Sequence, residues 1–132
     1  METTKKFAHC ILNYKGAPVF GIVKFSQVEG GTRVQANIEG LPKGKHGFHV
    51  HIWGNLEGGC KSAGGHFNPF GKTHGGPGDE ERHVGDMGNI ESDGKVAILD
   101  YVDKLITLVG ENTIIGRSVV IHEGEDDLGK GG

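Results

Sequence analysis

Cysteine is scarce in this chain. Cys10 and Cys60 are the only two among 132 residues, too few for a disulfide framework. Long apolar runs are missing, and none nears the roughly 20 residues that a membrane-spanning helix needs. No amphipathic pattern extends far enough for a helix of four turns. Positive charge is not in excess either: Lys+Arg number 14 against Asp+Glu 17, a net charge of −3. That balance argues against nonspecific binding to nucleic acid or to an anionic membrane surface. The stretch from Met1 to Cys10 has no apolar core and no cleavage signal, so the expected location is cytoplasmic. The length suits one domain, residues 1–132, with a single core.

Glycine, by contrast, occurs 25 times and histidine eight. So much glycine accompanies tight turns, bulges and ordered loops, and also disorder. The apolar residues follow a period of two. Val34, Ala36 and Ile38 alternate strictly with Arg33, Gln35, Asn37 and Glu39, giving one buried and one wet face. Ala8, Cys10 and Leu12 alternate more loosely, with Cys10 expected to be buried, and Val19 to Phe25 is a mixed apolar run. Val96 to Val102 and Arg117 to His122 read as further strands, the latter rich in β-branched residues. Breaks at Gly16, Gly30, Gly40 and Gly94 separate these runs. The pattern predicts an all-β sandwich or barrel.

From Trp53 to about Gly85 the alternation stops. A loop this long is uncommon in a compact domain unless something besides a hydrophobic core orders it, and bound metal is a sufficient cause. The ligands for metal are present. In Phe48 to Ile52 the apolar residues alternate with His49 and His51, so both imidazoles project from one face of a strand. Such a pair suits copper, zinc or iron. His66, His74, His83 and Asp86 fall in or just after the long loop. Three imidazoles and a carboxylate make a closed tetrahedral shell, the pattern of structural zinc. His122, at the end of a strand, adds a ligand on the His49 and His51 side.

Several segments carry a resemblance. They are Gly47 to His51, Cys60 to Pro69, His74 to Pro77, Asp79 to Asp86, Ile115 to Arg117, Val120 to Glu123 and Asp126 to Gly132. In order, and over nearly the whole chain, they resemble the copper/zinc superoxide dismutase family. The resemblance implies a Greek-key β-barrel or sandwich of immunoglobulin-like type with a long metal-binding loop. It also implies dismutation of superoxide to dioxygen and hydrogen peroxide. Copper would be held by His49, His51, His66 and His122, the catalytic set, and zinc by His66, His74, His83 and Asp86. His66 would bridge the two ions and would take up, then deliver, a proton. Asp126 would tie a copper-ligand imidazole to a zinc-ligand imidazole, although the residues alone read Glu123 to Asp127 only as a solvated acidic loop. The expected partners are superoxide, a second copy in a homodimer or other homo-oligomer, and a copper donor protein. Trp53 reads either as an interface anchor or as packing against its own loop. His46 resembles a structural histidine bonded to backbone, and His9 reads as exposed.

The family pattern continues beyond Gly132 through the rest of a loop, an arginine, a second cysteine and a last strand. The expectation is therefore seven of the usual eight strands, a Cys60 without its partner and a reduced rate, with Lys130 the nearby basic residue. An open strand edge is expected as well, either covered in an oligomer or left in a marginal, metal-dependent monomer. The alternative to an enzyme is a non-catalytic copper/zinc-binding homologue, a metal store or decoy, or an engineered or processed fragment.

Overall fold

A computed structural model describes residues 6–12, 18–55, 57, 62–122 and 124–129. Cys60, Glu123 and Lys130, all named above, lie outside the described residues. Seven strands and no helix occur among the described residues: β1 Phe7–Leu12, β2 Phe20–Val28, β3 Gly31–Glu39, β4 Gly44–His51, β5 Asp86–Ser92, β6 Val96–Asp103 and β7 Ser118–Ile121. The all-β class expected from the alternation is the observed one. The chain divides into two compact units, Met1–Gly44 with Glu91–Ile115, and Lys45–Ile90 with Gly116–Gly132.

In the first unit the strand order is β1-β2-β3-β6. β3 pairs with β6 rather than β4, from Thr32 opposite Asp103 to Glu39 opposite Val96. Such a skipped neighbour is the signature of a Greek-key connection. β3 forms as its alternation predicts. Thr32, Val34, Ala36 and Ile38 are buried, while their neighbours face outward or are half covered. Burying a side chain such as Val34 or Ile38 stabilises the fold by about 1.5–3 kcal/mol. Thr32 Oγ1 donates to the carbonyl of Ile106 at 2.7 Å, so the one polar member of that row is satisfied. Cys10 is only half-buried, because β1 pairs with β2 and presents the loosely alternating face that holds it.

In the second unit β4 pairs with β7, Phe48 opposite Ile121 and His51 opposite Ser118. Phe48, Val50, Val84, Met87 and Ile90 are buried there. β5 has no period-two signature in the sequence, and its geometry explains why. Met87 and Ile90 are both buried although three residues apart, because Gly88 between them adopts φ 76. One left-handed residue of this kind, open to glycine, shifts the alternation by a residue. It puts Asp86 and Asn89 on the face opposite Met87 and Ile90. Among its described residues, the loop between β4 and β5 has no strand or helix beyond an isolated bridge joining His66 to His51.

Candidate metal centre

Backbone hydrogen bonds hold the loop against the strand that carries the first two histidines. Gly65 O accepts from Ile52 N at 3.0 Å and Ala63 O from Trp53 N at 2.9 Å. Gly85 closes the far end, its carbonyl accepting from Val50 N at 2.9 Å and its N–H donating to Phe67 O at 3.0 Å. A Cβ on Gly85 would sit 2.2 Å from the Val50 carbonyl oxygen, so only glycine allows the two chains this close. Arg82, 2% exposed, donates to three loop carbonyls, those of His83, Pro77 and Val84, at 2.9, 2.8 and 2.6 Å.

Two groups of four result. His49, His51, His66 and His122 bring one ring nitrogen each to within 4.8 Å of one another. His66, His74, His83 and Asp86 do the same with their nitrogens and a carboxylate oxygen. His66 belongs to both. In the second group three Nδ1 atoms converge on Asp86 Oδ1: His66 at 2.9 Å, His74 at 3.0 Å and His83 at 3.3 Å. Asp86 Oδ2 accepts instead from the N–H groups of Gly75 and His83, at 3.0 and 2.8 Å. Burial would push the Asp86 carboxyl up. The bonds from His66, Gly75 and His83 outweigh it and hold the carboxyl well below the usual carboxylate range.

Two of the imidazoles, those of His51 and His74, are held by hydrogen bonds at their other nitrogen. His51 Nδ1 faces the Gly64 carbonyl at 2.9 Å, which leaves Nε2 inward. His46 Nδ1 lies 3.0 Å from the carbonyl of His122, the backbone role expected of His46. Asp126 meets His74 Nε2 at 2.8 Å and lies 3.2 Å from His49 Nε2. The carboxylate that sequence reasoning alone had left in an acidic loop therefore touches one histidine of each group. His9 is exposed, as expected.

The donor set fits metal. Both ring nitrogens of His49, with His51 Nε2, His74 Nδ1 and His122 Nε2, are buried and make no hydrogen bond, although His49 Nε2 lies within ion-pair distance of Asp126. Buried polar atoms normally have partners, and imidazole nitrogens gathered this closely match the donor set of a transition-metal site. Three of these four rings are pushed toward the neutral form. Burial, and then the neighbouring His66, lower His49 to about 3. Burial likewise lowers His51 and His122. His74 goes the other way: burial lowers it, but the Asp126 and Asp86 carboxylates together prevail and raise it.

The sequence model of copper/zinc superoxide dismutase (SODC) matches residues 19–132. The chain belongs to the copper/zinc superoxide dismutase family. It is 54% identical over 127 residues to superoxide dismutase [Cu-Zn] 5 of Dictyostelium discoideum, covering 94% of this chain and 82% of that protein. It is 52% identical to superoxide dismutase [Cu-Zn] A of Xenopus laevis, covering 95% and 83%. To the extracellular superoxide dismutase [Cu-Zn] of Brugia pahangi it is 50% identical, covering 94% of this chain and 63% of that one. Copper and zinc are the cofactors this family implies, and the all-β Greek-key barrel is its fold class.

Proposed function

We propose that this chain is a superoxide dismutase whose copper is held by His49, His51, His66 and His122 and whose zinc is held by His66, His74, His83 and Asp86. The observation that carries the assignment is the sharing of His66 between two four-donor groups, in which buried ring nitrogens of His49, His51, His74 and His122 lack hydrogen bonds. When bound, copper supplies one-electron redox chemistry and zinc a fixed positive charge that is not redox-active.

The reaction converts two superoxides and two protons into one dioxygen and one hydrogen peroxide. This chain's residues hold the site and manage protons. His66 Nδ1 is directed at Asp86 and His83, which leaves Nε2 as the ring nitrogen that takes up a proton and gives it to the peroxide product. Gly64 and Asp126 fix the rings of His51 and His74 by bonding the nitrogens that face away from the ions. Asp126 also stands beside His49 Nε2.

The same reading takes residues 1–132 as one domain, since the family match runs through both compact units. It takes the assembly as a homodimer. Trp53 is 60% exposed although its backbone is pinned by Ala63 and by Ser118 Oγ, and exposed, pinned aromatics suit interfaces. Ile115, 52% exposed, is a second apolar contact of that kind. Cytoplasmic residence and loading by a copper donor protein complete the reading. Superoxide consumption and metal content measured on one preparation test it, with about one copper and one zinc per chain expected. One equivalent of zinc with copper absent or redox-silent overturns the enzyme assignment.

A further inference from the structure

Asp126 could serve two histidines only if something aims it, and the described residues 124–129 around it form no strand or helix. Asn89 does the aiming. Asp126 N donates to Asn89 Oδ1 at 2.6 Å, and Asn89 Nδ2 donates to the Asp126 carbonyl at 3.0 Å. The two bonds form a closed ring between one side-chain amide and one residue's backbone. Asn89 is half-buried on β5, three residues after Asp86, on the face that the left-handed Gly88 turns toward the ligands. The Asp126 side chain is thereby free to use both oxygens. Oδ1 and Oδ2 lie 2.8 and 3.0 Å from His74 Nε2, Oδ1 lies 3.2 Å from His49 Nε2, and Oδ2 accepts from Leu128 N at 2.9 Å.

The following residues seat the segment on the zinc-side loop. Leu128, at φ 58, lies against the Gly76 and Gly88 positions, and Gly129 passes so close to the His74 carbonyl that a Cβ would sit 2.2 Å away. The loop that supplies His74 and the segment that supplies Asp126 therefore touch each other directly, and Asn89 ties the Asp126 backbone to a strand.

We infer that Asn89 is a positioning residue: it fixes the Asp126 backbone so that the carboxylate orients His74 toward zinc and His49 toward copper, and so makes copper's surroundings depend on zinc. The inference rests on the two-site assignment above. An asparagine suits the role because one planar amide both donates and accepts, as a peptide group does. Alanine supplies neither function, and aspartate only the acceptor.

The test compares the wild-type protein, Asn89→Ala and Ser92→Ala. Ser92 Oγ donates to the Leu41 carbonyl at 3.0 Å, a buried bond among none of the metal-binding residues, so its loss lowers stability without touching Asp126. Zinc affinity is read by competition with a chromophoric chelator. The copper(II) electron paramagnetic resonance spectrum is recorded with and without zinc. Asn89→Ala should weaken zinc by about tenfold and shrink the spectral response of copper to zinc, while Ser92→Ala should leave both within about twofold. Should Asn89→Ala not fold, Asn89→Asp carries the same comparison, because it loses the donor to the Asp126 carbonyl. Wild-type zinc affinity and an undiminished copper response in the Asn89 variant overturn the inference. Equal losses in the Asn89 and Ser92 variants overturn it too, since they reduce Asn89 to general stability. A wild-type protein that binds no zinc overturns the two-site assignment itself.

Discussion

Gly85→Ala strikes the junction between the copper-side strand and the zinc-side loop without altering any ligand. The added methyl would lie 2.2 Å from the Val50 carbonyl oxygen, 3.0 Å from that carbonyl carbon and 3.2 Å from Phe67 N. Ordinary contact requires the two backbones to part by about 1 Å, close to a third of a hydrogen-bond length. Three bonds meet there: Val50 N to Gly85 O at 2.9 Å, Gly85 N to Phe67 O at 3.0 Å and Phe67 N to Val50 O at 2.8 Å. At about 1 kcal/mol each, their loss costs about 3 kcal/mol. Alanine restricts the unfolded chain and returns about 0.4–1 kcal/mol. The net loss is thus about 2–3 kcal/mol, or roughly 10 °C in Tm for a domain of this size. Thermal unfolding of the metal-free protein measures it by circular dichroism, with Trp53, the only tryptophan, as a fluorescence reporter of the loop end that Ala63 holds. The control is Gly78→Ala, where nothing lies within 4 Å of the new methyl and φ is not left-handed; it should be neutral or slightly stabilising. A Gly85→Ala protein within about 0.5 kcal/mol of wild type, below the usual size of one hydrogen bond, would refute the reasoning.

Replacing Asp86 by asparagine leaves an acceptor for the Gly75 and His83 N–H groups but removes the charge on which three imidazoles converge. Zinc affinity in a chelator competition should drop by at least about tenfold, the loss expected even for a partner outside the ligand set. Metal-free protein should lose stability as pH falls from about 6.5 toward 3, because His49, lowered by burial to about 3, stays neutral when folded but protonates when unfolded. The unfolded state then binds more protons, so stability falls with falling pH by at most about 1.4 kcal/mol per pH unit from this group. Urea midpoints across that range check the sign, and a flat or inverse profile contradicts it. Thr32→Val deletes the buried bond to the Ile106 carbonyl and should lower unfolding free energy by about 1–3 kcal/mol, read by urea titration, with metal content unchanged.

Much of the fold was legible because most strands obey the alternation that burial imposes. β3 is the plainest case, with every inward position apolar except Thr32. The ligand pair on β4 was legible for the same reason, one strand face being sufficient to place His49 beside His51. β5 was not legible. Its single left-handed residue, Gly88, displaces the period, and a glycine in a loop-like run gives no sign of whether it makes a bulge or a turn. Asn89 was hidden with it. Asp126 was recoverable only through family resemblance, since an acidic cluster near the end of a chain looks solvated until a fold brings histidines to it. The burial of His49 and His51, 3% and 5% exposed, was also beyond a reading that placed them on a face opposite the core. The loop and the segment containing Asp126 provide the cover.

Arg82 bears on how an ion enters. An irregular loop usually leaves its carbonyls to water, but here one planar guanidinium takes up three of them, at Pro77, His83 and Val84, from inside. The hinge end of the loop is therefore a socket formed with the protein rather than a noose drawn tight by the ion. Much of the entropy of aligning His83 and Asp86 is then lost on folding, so zinc bound as proposed above would meet a prepared half-site.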